Sequence, residues 1–249
     1  MKVTGMNRTT EQRNLLRIYS IDKKENGICL QICSNKTEEK IEESQKKGDS
    51  DMAEFDYEVV NGRKIRVRPV ETVSEVDENG YFVRQPNHFT EGFGEGKNPV
   101  EKGRYHLVWA KLCHWSNRAS IVRELLGLED AISVNMVDHA KHEKNLGWEF
   151  VYDKDHIDPV LGIQFLSEAY YKADDDYTGR TTVPALIDTK TGKVVNNDYT
   201  WLTNYFEVDF KPFHKKGAPD LYPEELRKDI DEMNDWLFDN INNGVYKAT

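Results

Sequence analysis

The chain lacks the makings of a disulfide-stapled fold. Its 249 residues hold three cysteines, Cys29, Cys33 and Cys113, an odd and low number that does not fit a secreted disulfide framework. Cys29 and Cys33 stand four apart, which is not the C-x-x-C redox spacing, so both read as ordinary thiols in a weakly structured segment. Long apolar runs are absent as well. Nothing reaches the roughly 18 apolar residues that a membrane-crossing helix requires. The polar N-terminus lacks the apolar stretch of a signal peptide, so the expected location is the cytoplasm. Positive charge is also short: 34 Lys and Arg against 44 Asp and Glu leave a net charge of −10. No excess cation is available to displace counterions from nucleic-acid phosphates. Membrane and nucleic acid therefore drop out of the expected partners. The length suits one or two domains with a proper core. A mean hydropathy of −0.75 is polar for an enzyme and points to a disordered portion. Residues 37–51 are a solvated charge run, and residues 1–52 as a whole read as a weakly structured polar extension.

What is present centres on residues 104–128. Tyr105, Leu107, Val108, Trp109 and Leu112 form a short apolar and aromatic run of strand length. Ile121, Val122, Leu125, Leu126 and Leu128 recur at helical spacing, and Gly127 sits where a helix ends. Cys113-His114-Trp115-Ser116 lies at the turn between them. A cysteine there places its sulfur near unpaired backbone N–H groups and the positive end of a helix dipole. That environment lowers a thiol pKa from about 8.5 towards about 3.5–7.5. The expectation is a nucleophilic thiolate at Cys113.

The rest of the chain supplies a frame for that turn. Asn61-Gly62 between β-favouring runs predicts a hairpin within 55–76. The irregular stretch 77–102, with Gly92, Gly94, Gly96 and Pro99, is expected to wrap over the domain and to line a site. Residues 132–137 read as a second strand, giving a right-handed βαβ unit. The polar insertion 138–159 holds Gly147-Trp148-Glu149-Phe150, an aromatic pair that must pack on the body or on a ligand. Residues 159–172 carry an amphipathic helix with Ile163, Phe165, Leu166, Ala169 and Tyr170. Asp174-Asp175-Asp176 reads as a solvated loop, not a metal site. A strand begins around Pro184, a short one follows at 193–195, and Asn196-Asn197-Asp198 caps a short helix through Tyr205. After a linker with Pro212 and Pro219, a last helix opens at Pro223. Its stripe of Leu226, Ile230, Met233, Leu237 and Ile241 needs partners.

The order β-α-β, α, β-β-α is that of the thioredoxin fold. There a cis proline opens the third strand and faces the thiol, and Pro184 is the residue placed to do so. The expected fold class is α/β. A thioredoxin-like domain occupies 103–206, preceded by the extension (1–52) and by a hairpin with a wrapping loop (53–102). A linker (207–219) and a helix (220–249) follow.

Over residues 80–249 the sequence resembles the Xi-class glutathione transferases, the glutathionyl-hydroquinone reductases. The resemblance is carried by Phe82-Val83-Arg84-Gln85-Pro86-Asn87-His88-Phe89, the Cys113 turn and Gly147-Trp148-Glu149-Phe150. It continues through Tyr177-Thr178-Gly179-Arg180-Thr181-Thr182-Val183-Pro184, Asp220-Leu221-Tyr222-Pro223 and the stretch from Asn242 to Ala248. The family motif at the thiol is Cys-Pro-Trp-Ala, so His114 and Ser116 are departures. Ser116 stands where dithiol thioredoxins have a resolving cysteine. Cys113 therefore cannot close a local disulfide, and a mixed disulfide with a small thiol is the natural intermediate. His114 is either a protonated partner of the thiolate or an exposed turn residue.

The resemblance implies glutathione as co-substrate, with neither metal nor flavin. Val183, before Pro184, would pair its backbone with the cysteinyl part, and Trp148 would contact the tripeptide. Asp198-Tyr199 replaces the family's Glu-Ser: Asp198 would hold the α-amino group, while Tyr199 lacks the small hydroxyl for the carboxylate. Arg180 reads as structural. Trp115 and Tyr246 would line the pocket for a small aromatic or quinone-derived substrate. The family continues into a helical domain, of which the sequence carries the first helix. The implied protein is thus a truncated member whose last helix needs a second copy or a partner chain to cover it. The implied activity is reduction of glutathionyl-hydroquinones through a Cys113–glutathione mixed disulfide. The alternative is an impaired member acting as a binding protein, partial subunit or relic; a general glutaredoxin-like thiol oxidoreductase is a third reading.

Overall fold

The computed structural model describes residues 21–24, 27–30, 55–67, 77–78, 82–142 and 146–247. The chain divides into two compact units, Met1–Glu54 and Phe55–Thr249. In the first, β1 (Ile21–Lys24) and β2 (Gly27–Leu30) pair antiparallel, a hairpin where the sequence predicts only a polar extension. Cys33 and the charge run at 37–51 lie outside the described residues, and so does the side chain of Cys29.

The second unit opens with the predicted hairpin, β3 (Tyr57–Val60) and β4 (Arg63–Arg66). Asn61 and Gly62 take positive φ values of 51° and 78°, the primed-turn geometry whose twist matches that of the strands. Then come β5 (Tyr105–Trp109), α1 (His114–Leu126) and β6 (Ile132–Met136). Two short strands follow, β7 (Asp138–His139) and β8 (Trp148–Glu149). Next are α2 (Leu166–Ala173), β9 (Ala185–Asp188), β10 (Lys193–Asn196) and α3 (Leu202–Val208). The main sheet has the order β10-β9-β5-β6. β5 is parallel to β6, with Tyr105 opposite Ile132, and antiparallel to β9, with Tyr105 opposite Asp188. The parallel pair requires a crossover, and α1 provides it.

Alternation along β5 and β9 sets the two faces of this sheet. Leu107 and Leu186 point into a cluster with Ala119 and Leu126 of α1 and Leu202 and Phe206 of α3. Val108, Ala185 and Ile187 point into the opposite cluster, with Phe150 and with Leu166 and Tyr170 of α2. Helices thus cover both faces, as in a thioredoxin-like α/β domain. Gly127 closes α1 with φ 73°; a Cβ there would come within 2.6 Å of the Lys215 side chain.

Three elements differ from expectation. α2 starts at Leu166, not near 159, because Glu168 Oε1 accepts the Gln164 and Phe165 amides at 2.8 and 3.0 Å and caps the helix there. α3 starts only at Leu202, with Trp201 as its N-cap, after a turn in which Asp198 Oδ1 takes the Thr200 and Trp201 amides at 3.0 and 3.3 Å. The stretch read as a linker instead closes the core: Phe210 is fully buried, with ring contacts to Phe93 at 5.1 Å and Tyr105 at 5.8 Å. Beyond it, α4 (Arg227–Leu237) loosens into a π-helical turn at Phe238–Asn242 before α5 (Gly244–Lys247). No residue of α4 is buried, and Met233 and Trp236 are more than half exposed.

Candidate functional site

The site is built where β5 hands over to α1. The Cys113 amide donates to Ala110 O at 3.0 Å, folding the chain back after the strand. Asn117 Nδ2 donates to both Lys111 O (2.8 Å) and Cys113 O (3.1 Å), pinning the turn from inside the helix. Cys113 is the N-cap residue, with extended φ −93° and ψ 109°. Its side chain takes no amide hydrogen bond from the first turn. The sulfur is turned across the sheet, and the thiol donates to the Val183 carbonyl at 3.4 Å. The sequence therefore places the cysteine at the helix N-terminus, but the backbone at Cys113 aims it at β9. The next peptide, Val183-Pro184, is cis, where the fold argument predicts it.

A cavity of about 500 Å³ opens beside this thiol. From the residues that the sequence singles out, it brings together Cys113, Trp115, Trp148, Val183, Tyr199 and Tyr246. Pro184 and Asp198 do not line it. Pro184 is buried behind Val183. Asp198 is only 7% exposed. Besides holding the turn before α3, its Oδ1 accepts from Asn87 Nδ2 at 3.1 Å. Ser116 is fully buried in α1, away from the cavity lining.

The walls are held by specific contacts. Trp148 stacks on His139 at 4.2 Å across the β7–β8 pair, and Phe150, two residues on, is fully buried. Between them Glu149 turns inward and accepts from Gln164 Nε2 and His156 Nδ1, both at 2.8 Å. Burial pushes the Glu149 carboxyl up, but those two hydrogen bonds outweigh it and hold the group below its ordinary range. On the other side, Gln85 Oε1 accepts the Arg180 amide at 2.7 Å, and Tyr177 Oη donates to Arg180 O at 2.7 Å. Arg180 thus has a backbone role as well as a place on the cavity wall.

The wrapping loop contributes Phe82, Arg84, Gln85 and Asn87 to the lining. Phe82 stacks on Tyr246 at 5.0 Å. Tyr199 packs on Trp115 at 4.7 Å, and burial raises its phenol, which stays neutral. The Arg84 guanidinium lies 4.7 Å from the Tyr246 ring and 5.4 Å from that of Tyr199. Sequence reasoning missed Arg84 as a site residue; the only signal was the expectation that this loop lines a site. His114 is exposed, and burial of its ring together with the Arg84 charge lowers its pKa. Both influences disfavour its protonated form, and its exposed position fits the turn-residue reading better than that of a cationic partner for the thiol.

Among the described residues, no group of three or more His, Cys, Asp and Glu is arranged to hold a metal. Asp174 instead pairs with His88 at 2.9 Å. No described helix is long and apolar enough to cross a membrane.

Comparison with known proteins gives the same picture. The glutathione S-transferase N-terminal domain model matches residues 112–207. Glutathione S-transferase omega-like 2 of Schizosaccharomyces pombe is 38% identical over 176 residues, covering 68% of this chain and 56% of that protein. Glutathionyl-hydroquinone reductase YqjG of Escherichia coli is 40% identical over 157 residues, covering 62% of this chain and 47% of that one. Among solved structures, glutathione S-transferase Xi from Phanerochaete chrysosporium is 39% identical with a TM-score of 0.63, over 69% of this chain and 56% of its own. The glutathione-bound structure of YqjG is 37% identical with a TM-score of 0.58, over 65% of this chain and 55% of its own. The chain spans about half the length of the curated relatives it matches. With these matches, and with a helix-capping cysteine facing the carbonyl ahead of a cis proline, the chain belongs to the glutathione S-transferase family, on its Xi-class branch.

Proposed function

We propose that the chain carries a glutathione-dependent reductase site in which Cys113 is the nucleophile and a glutathionyl-hydroquinone is the substrate. The observation that carries this reading is the thiol 3.4 Å from the Val183 carbonyl at the edge of the cavity. A glutathione whose cysteinyl amide donates to that carbonyl would bring its own sulfur next to Cys113. Tyr246, Trp115 and Phe82 then offer flat apolar surface to an aryl group on that sulfur. One relative, YqjG of Escherichia coli, supports the reading twice over, by its name as a glutathionyl-hydroquinone reductase and by its glutathione-bound structure.

The chemistry is two displacements at sulfur. The Cys113 thiolate attacks the sulfur of the aryl thioether, and the sulfur–carbon bond breaks. The electron pair passes to the ring carbon, which takes a proton, so hydroquinone leaves. Cys113 remains as a mixed disulfide with glutathione. A second glutathione thiolate then attacks the glutathione sulfur of that disulfide, releasing oxidised glutathione and restoring Cys113. Glutathione supplies both electrons. Ser116, buried and without a thiol, cannot intercept the mixed disulfide.

The test is release of menadiol from glutathionyl-menadiol, with mass analysis of the protein after treatment with oxidised glutathione. Wild type should turn over and gain one glutathione at Cys113; Cys113→Ser should do neither. Equal turnover by the two would remove Cys113 from the mechanism.

A further inference from the structure

Three arginines line the cavity, and they are not equivalent. Arg66 donates to the carbonyls of Asp175 and Tyr177 and lies over the Phe55 and Tyr171 rings. Arg180 is held by Gln85 and Tyr177 through its backbone. Arg84 is different. Its guanidinium is surrounded by the rings of Phe82, Trp115, Tyr199 and Tyr246, at 5.2, 5.8, 5.4 and 4.7 Å. Its Nε and Nη2 are buried and have no hydrogen-bond partner among the described residues. Nor does it form an ion pair with any described carboxylate.

Ring faces attract a guanidinium, but they accept none of its directional hydrogen bonds. A second donor nearby is in the same condition: Trp115 Nε1, in a side chain 7% exposed, also has no described acceptor. Buried donors without acceptors are costly, and a site that holds several beside a cavity is complete only when a ligand brings the acceptors. The matching chemistry is a carboxylate, which offers two oxygens to the planar fork of a guanidinium.

We propose that Arg84 is the carboxylate-binding residue of the Cys113 cavity, using the donors that the fold leaves unspent. This rests on the reading above that glutathione occupies the cavity. Glutathione carries two carboxylates, and an aryl group on its sulfur can carry a third. A carboxylate from any of these positions offers the same two oxygens to the guanidinium. Tyr199 lines the same cage and has no small hydroxyl to offer the tripeptide. Arg84 reaches the cavity from the loop ahead of β5, outside the thioredoxin-like core.

The experiment measures dissociation constants for wild type, Arg84→Lys and Arg84→Met. The ligands are glutathione, its glycyl monoethyl ester, and the Cys113→Ser-stabilised complexes of two aryl adducts, with and without a ring carboxylate. Arg84→Met should weaken at least one carboxylate-bearing ligand by about 10- to 100-fold, the range of one or two charge-assisted hydrogen bonds. Arg84→Lys should lose less. A loss confined to ligands with the free glycyl carboxylate assigns that group. A loss shared by glutathione and its ester assigns the γ-glutamyl carboxylate. A loss confined to the ring-carboxylated adduct assigns the acceptor.

An independent readout is the His114 imidazole followed by NMR. A carboxylate seated on Arg84 should raise the His114 midpoint in wild type and leave it unmoved in Arg84→Met, which a merely structural arginine would not do. Unchanged affinities for every ligand in a folded Arg84→Met protein would overturn the assignment while leaving the Cys113 reaction standing. A wild type that neither binds glutathione nor gains it on Cys113 would overturn both.

Discussion

The thiol of Cys113 has one hydrogen bond to give, and it gives it to the Val183 carbonyl. A ligand amide that donated to the same oxygen would compete with that contact. The residues that shape the wall around this carbonyl leave little slack. A Cβ on Gly179 would come within 2.7 Å of Tyr177 Oη and 2.8 Å of Gln85 Nε2, the two groups that hold the Arg180 backbone. Gly179→Ala should therefore cost about 1–3 kcal/mol through local overpacking. It should also weaken glutathione binding; a thermal melt paired with a ligand titration checks both.

A second residue works away from the site. Asp158 is fully buried, and its carboxylate accepts from His106 Nε2 at 3.1 Å, from Asn135 Nδ2 at 2.6 Å and from the Val160 and Leu161 amides. Burial pushes this carboxyl up, but the His106, Asn135 and Leu161 hydrogen bonds outweigh it and hold it below the ordinary value. A depressed carboxylate contributes stability that is fully present above its unfolded value of about 3.9 and is lost as the pH falls through the folded value. Asp158→Ala strands all four donors. It should lower stability at pH 7 by about 3–5 kcal/mol and flatten the acid limb of a urea-midpoint profile below about pH 4. An acid limb of wild-type steepness in the variant would show that other carboxylates carry it.

At the scale of elements, the parts legible in the sequence are those set by local pattern. Asn61-Gly62 announced the β3–β4 turn because only residues tolerant of positive φ fit it. The run from Tyr105 and the spacing from Ile121 announced β5 and α1, and Gly127 their stop. The elements misjudged are those whose limits depend on side chains elsewhere. α2 begins where Glu168 finds the Gln164 and Phe165 amides, which a stripe of apolar residues does not encode. Phe210 became core through partners at Phe93 and Tyr105, more than a hundred residues earlier. The stripe on α4 was legible, and it remains uncovered among the described residues. Trp236, 55% exposed, should accept a change to glutamate with less than about 0.5 kcal/mol of effect on stability. A clear drop in melting temperature for Trp236→Glu would mean that this face is packed in solution.

At the scale of the whole molecule, charge sets the solution behaviour. A net charge of −10 at pH 7 keeps copies apart, and the sequence pI of about 5.3 marks where that repulsion vanishes. With an apolar helical face exposed, self-association should rise as the pH is lowered from 8 towards 5.3 and fall again in the Trp236→Glu protein; light scattering across that range measures it.

By its own pattern the sequence determined a thioredoxin-like order of strands and helices, a cysteine at the first helix and a proline ahead of the third strand. These follow from periodicity, glycine and proline, whose constraints act over a few residues. Only the tertiary structure decided that the thiol points to the Val183 carbonyl, that Asp198 turns inward to bind Asn87 and the turn before α3, and that Arg84 enters an aromatic cage beside Cys113. Such choices depend on which distant groups arrive to accept or donate a hydrogen bond, and no spacing within one segment records that meeting.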